Sequence, residues 1–102
     1  MNEKITLNDF EKRYSNIRKD NPNVSECSVK SCKNPIDLNG TTCAYHRLLF
    51  DHWMYEIKGR DIFNMSRRGI RIAFSRWMNK TGKEICDSIV LDMAQYEINW
   101  VC

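Results

Sequence analysis

Four stretches of this chain space their apolar residues at helical intervals, and one long stretch does not. Leu7, Phe10, Tyr14 and Ile17 recur three and four apart, with Glu11, Lys12, Arg13 and Arg18 on the remaining faces. Thr6 and Asp9 have the spacing of an N-cap and a first-turn acid, and Asp20-Asn21-Pro22-Asn23 stops the pattern. The first predicted helix is 7–19. From Cys43, residues Leu49, Phe50, Trp53, Met54 and Ile57 fall within about 140° of one another at 100° per residue. Arg47, Asp51 and Lys58 lie opposite, and Gly59 is the expected C-cap. A third helix is predicted over 62–79 from Ile70, Ala73, Phe74 and Trp77, with Phe63 extending the same face. A fourth, 83–99, carries Ile85, Ile89, Met93, Tyr96 and Trp100 on one stripe, with Thr81 and Glu84 spaced as a capping box. Between the first two helices, 24–42 has no period and holds the turn dipeptides Asn34-Pro35 and Asn39-Gly40. The pattern predicts a mainly α fold of about four helices, with a knuckle or short hairpin inserted after the first.

The insert also carries the most specific chemistry. Cys27, Cys32, Cys43 and His46 form a C-x4-C-x10-C-x2-H run. Thiolates and an imidazole in two close pairs suit a tetrahedral Zn2+ ion. Cys43 and His46, three apart, share a face at the start of the second helix, whose N-terminal partial positive charge favours a thiolate. Gly40 is expected to allow the close approach into that helix. Unliganded clustered cysteines and a disulfide scaffold are the competing readings. Cys86 falls within the fourth helix and is expected to be a buried, inert thiol; Cys102 is assigned no role.

The strings Cys27-Ser-Val-Lys-Ser-Cys32-Lys-Asn-Pro35 and Gly40-Thr-Thr-Cys43-Ala-Tyr-His46-Arg47 resemble small treble-clef-like zinc fingers of phage and mobile-element proteins, which often accompany HNH-type endonucleases. The resemblance covers residues 27–47. It implies a treble-clef-like layout, association with DNA and a phage origin. It does not carry over a nuclease, because an HNH site needs a histidine base, an Asn and a second histidine. This chain has only His46, a metal ligand in this reading, and His52. His52 sits among apolar residues and reads as packing. No phosphate loop, Ser-His-Asp set or paired carboxylates appear, so a non-enzymatic protein is expected.

Charge changes the picture in the C-terminal half. The chain has 16 Lys and Arg against 13 Asp and Glu, net +3. Residues 59–83 hold seven bases (Arg60, Arg67, Arg68, Arg71, Arg76, Lys80, Lys83) against Asp61 alone, and 84–102 hold Glu84, Asp87, Asp92 and Glu97 with no base. A basic helix over 62–80 presenting Arg67, Arg68, Arg71, Arg76 and Lys80 is a candidate nucleic-acid surface, DNA first, for a transcription or DNA-associated regulator. The alternative is an effector or inhibitor that binds a host or partner protein through its charged helices and an exposed tryptophan, Trp100 above Trp53 and Trp77. The arginines could also simply be solvated or pair with the acidic fourth helix. At 102 residues the chain is read as one zinc-stapled domain, 1–102, divided into 7–19, 24–58 and 62–102. It lacks a membrane span and the apolar run of a signal peptide, so an intracellular, cytoplasmic setting is expected, that of the host if viral.

Overall fold

The computed structural model describes residues 4–37 and 40–101, with 97–101 described by backbone only. Helix α1 spans Leu7–Asp20. The insert 21–43 has a single isolated antiparallel bridge, Glu26 to Pro35, among the described residues. Helix α2, Ala44–His52, continues without a break into a π-helical turn, Trp53–Lys58, and then a 3-10 segment, Gly59–Asn64. Helix α3 is Arg67–Thr81 and helix α4 is Lys83–Val101. The fold is mainly helical, with the insert standing where the loss of periodicity puts it.

Helices α1 to α3 bury part of the apolar stripe that their spacing predicts, Leu7 of α1 staying exposed, and α4 buries a different one. Phe10 and Tyr14 of α1 and Leu48, Leu49 and Trp53 of α2 and its extension are buried, and Phe74 of α3 joins them. Phe74 packs its ring on Phe50 and Trp53 at centroid distances of 5.1 and 5.4 Å, in edge-on and tilted geometries that favour aromatic pairs. His52 lies beside Trp77, centroids 6.2 Å apart.

Four boundaries or faces differ from the sequence expectation. Helix α3 starts at Arg67, not 62, because Ser66 caps it: its Oγ accepts from the Gly69 N–H at 3.0 Å. Had the helix run through from 62, Phe63 would lie about 20° from Phe74 on the core face; outside the helix it is 85% exposed. Thr81 is the last residue of α3, not the residue before α4. The link to α4 is Gly82 alone, at φ 93 and ψ 155, a conformation open essentially only to glycine. On α4 the buried stripe is Cys86, Val90 and Ala94, one position round from the predicted one, and Ile85 and Tyr96 face solvent. Small residues on that stripe let α4 lie close against α2, which bulky Ile85 and Tyr96 would prevent. Ile57 is likewise exposed, because the π-helical turn shifts residues after Trp53 off the register of α2. Trp100 and Cys102 lie outside the residues whose side chains are described; Cys86 is buried, as expected.

Candidate metal centre

Backbone hydrogen bonds shape the insert before any metal is considered. Cys27 N–H donates to Asn34 O at 2.8 Å, Ile36 N–H to Ser25 O at 2.9 Å and Ser28 N–H to Thr41 O at 2.8 Å. A turn closed by Cys32 N–H on Val29 O at 3.0 Å brings Cys32 back towards Cys27. Ser31 in that turn takes φ 68, the left-handed region. The expected need for Gly40 is not met: a Cβ there would meet nothing nearer than 3.6 Å. The glycine-like conformation sits in the first knuckle, at a serine. Cys43 is the N-cap of α2, which places His46 one turn into the helix.

These elements converge on one point. The ligand atoms of Cys27, Cys32, Cys43 and His46 all lie within 4.8 Å of one another. Cys32 Sγ is 3.9 Å from Cys43 Sγ, while His46 Nδ1 is 3.4 Å from Cys43 Sγ and 3.6 Å from Cys27 Sγ. A tetrahedron with metal–sulfur bonds of about 2.3 Å and a metal–nitrogen bond of about 2.05 Å has edges of about 3.8 Å between sulfurs and about 3.6 Å from sulfur to nitrogen. Those three spacings match such edges, and the remaining ones are no longer than 4.8 Å. The separation of the Cys32 and Cys43 sulfurs is also far beyond a disulfide bond of about 2.05 Å, which removes the disulfide reading for that pair. Nδ1 is the histidine nitrogen that faces the sulfurs.

The environment distributes charge unevenly over the three sulfurs. Cys43 is held down at about 3, chiefly by the hydrogen bond from Cys27, against desolvation by burial and with help from the His46 ring and the Tyr14 hydroxyl. Cys27 is pushed up by that same bond and by burial, and Cys32 is pushed up mainly by burial. Three neighbouring thiolates repel, so only one forms readily without a cation; a divalent ion removes that constraint.

Three supporting groups were not legible as such in the sequence. The Tyr14 hydroxyl interacts with Cys43 and accepts the Tyr45 N–H at 3.2 Å, tying α1 to the ligand shell; its spacing marked Tyr14 only as core. Asn34 Nδ2 approaches Cys43 Sγ at 4.0 Å. Asp37, a buried carboxylate in a stretch that read as a turn, takes both its oxygens to Arg13 Nη2 at 2.9 and 2.8 Å and lies 3.5 Å from Arg47 Nε. Asp37 therefore clamps α1, the insert and α2 together, and a buried carboxylate needs such partners.

The candidate binding residues lie elsewhere. Arg67, Arg68, Arg71, Arg76 and Lys80 are all exposed on α3. None makes an ion pair or hydrogen bond through its side chain among the described residues. The described acids of α4 do not pair with them: Asp87 accepts from the Tyr45 hydroxyl of α2 and from Lys83 Nζ of its own helix, the latter at 2.7 Å. At 100° per residue the five cations spread over about 220° of the helix, with Arg67, Arg68 and Arg71 gathered within about 100°. No helix among the described residues is long and apolar enough to cross a membrane. No protein-family model, no curated protein and no solved structure matches this chain.

Proposed function

We propose that the chain is a non-enzymatic zinc-finger protein, treble-clef-like and of phage or mobile-element origin, that binds nucleic acid through α3 and acts as a DNA-associated regulator. Zn2+ is the ion favoured for the Cys3His cluster, since three soft thiolates and an imidazole at tetrahedral spacing suit it, and four protein ligands leave no position for a substrate. The observation that carries the binding reading is the exposed set Arg67, Arg68 and Arg71 without carboxylate partners among the described residues. Unpaired guanidinium groups on one face keep their donors for phosphate oxygens. The protein-binding alternative rests on the charged helices and an exposed tryptophan, Trp100 first; Trp53 is buried and Trp77 half-buried, while Trp100 lies outside the residues whose side chains are described.

The reading is tested by titrating labelled duplex DNA at several salt concentrations. Three phosphate contacts give a slope of log affinity on log salt of about −2.7. Reversing Arg67, Arg68 and Arg71 to Glu should abolish binding. Undetectable binding at low salt, or binding indifferent to salt, would sink the reading. A host protein surviving a nuclease-treated pull-down would then favour the alternative.

A further inference from the structure

The segment between α2 and α3 leaves three large apolar side chains in water: Tyr55 at 72%, Ile57 at 53% and Phe63 at 85% exposed. A lone exposed apolar residue is ordinary. Three within nine residues, in the stretch where the α-helical backbone gives way to π and 3-10 turns, form a feature that the core does not use. Phe63 is the most exposed of them, and it is exposed because the chain breaks helix at Met65–Ser66 and restarts at Arg67. Gly59, at φ 54, sets the path of the 3-10 segment that carries it.

The charges around Phe63 are mostly basic, with Asp61 two residues away and Glu56 beside Tyr55. Lys58, Arg60, Arg67 and Arg68 stand within five residues of Phe63 on either side, against Asp61 alone in that span. Lys58 Nζ lies over the Trp53 ring at 5.9 Å, and Arg60, Arg67 and Arg68 are exposed. The first N–H groups of α3 open at the same place, next to the Ser66 cap, and add partial positive charge. An open aromatic face beside arginines fits a chain that alternates flat apolar rings with phosphates and has its bases unstacked. In a duplex the base faces are covered by their neighbours, so Phe63 would gain little.

Resting on the nucleic-acid reading above, we infer that the 55–68 segment is a platform for single-stranded nucleic acid: an unpaired base stacks on Phe63, with Tyr55 as a second candidate ring, while Arg67 and Arg68 hold the flanking phosphates.

The test compares the wild-type chain with F63A, F63L and F63W on three probes: a 20-nucleotide oligothymidylate, a duplex of the same length, and polyglutamate of matched charge. Wild type should bind the single strand more tightly than the duplex. F63A and F63L should each weaken single-strand binding by roughly 5- to 100-fold, the range that loss of one base stack produces. Binding to the duplex should stay within about twofold, and F63W should retain the single-strand affinity. F63L keeps apolar bulk without a π face, so single-strand binding that F63L preserves would overturn stacking. Equal losses on both nucleic acids, no loss with F63A, or tight polyglutamate binding that falls in step would overturn it too. If the duplex is bound and Phe63 is indifferent, only the platform fails; if neither nucleic acid is bound, the broader reading fails with it.

Discussion

The metal centre and the outer face of α3 are both built from polar side chains, and they treat those side chains in opposite ways. Around the candidate metal centre, Tyr14 and the Asn34 side chain lie against Cys43, the Asn34 carbonyl accepts the Cys27 N–H, and the Asp37 clamp stands behind. On α3, five cations stand in solvent with no carboxylate held against them among the described residues. Groups that hold a fold together find partners inside it, because an unpaired buried polar group is costly. Groups kept for something else stay solvated and unpaired. The contrast separates what this protein needs in order to fold from what it has available to bind.

The largest effect that tests the contrast is Cys43→Ser. Structural zinc sites contribute on the order of 10 kcal/mol, more than a domain of this size has to spare. The variant should purify without stoichiometric zinc and lose most of its far-UV helical signal. Full helicity without metal would show that the hydrophobic core, not the cluster, holds the fold.

Acidity gives the next effect. Metal binding needs three thiolates, whereas Cys27 and Cys32 are pushed above their ordinary range and stay protonated near neutrality; only Cys43, at about 3, is ionised. Protons therefore compete with the ion, and the competition eases as pH rises. The melting-temperature gap between zinc-loaded and metal-stripped protein should widen from pH 6 to pH 8. A constant gap would mean that the thiols are not the ligands.

Tyr14→Phe removes one hydroxyl and keeps the ring. The Tyr45 N–H loses its acceptor and Cys43 loses a neighbour, so stability should fall by about 1–3 kcal/mol and zinc affinity by about 10- to 100-fold in a chelator competition. Gly82→Ala leaves every side-chain contact intact and should still cost about 1–3 kcal/mol in denaturant unfolding, because only the backbone conformation objects. The smallest effect on the fold should come from reversing Arg67, Arg68 and Arg71 to Glu: a change in unfolding free energy of about 0.5 kcal/mol or less, as befits exposed groups. Melting of that variant would show the arginines to be internal partners and erase the contrast.

The two regions also differed in how plainly the sequence announced them. Ligand spacing picked out all four residues of the cluster that could hold a metal, since close pairs of Cys and His have few other uses, and helical period placed Phe10, Tyr14, Trp53 and Phe74 in the core. Period could not show that Ser66 would compete as a cap and free Phe63. It also favoured bulk on α4, where close approach to α2 selects Cys86, Val90 and Ala94 instead. Asp37 and Tyr14 illustrate the remaining gap. A buried carboxylate with arginines from two helices, and a hydroxyl reaching a thiolate, are products of tertiary assembly and leave no local trace.

The one-residue link at Gly82 bears on the order in which the molecule assembles. Docking α3 against α4 across a single glycine closes almost no loop, so that helix pair can form early and fast. The bond from Ile5 N–H to Gln95 Oε1 joins residues 90 apart and needs α1 already docked, which the metal cluster and the Asp37 clamp bring about. Folding should therefore run backwards along the chain: the C-terminal helix pair first as a template, α2 laid on it, and α1 last, as the Cys3His cluster closes.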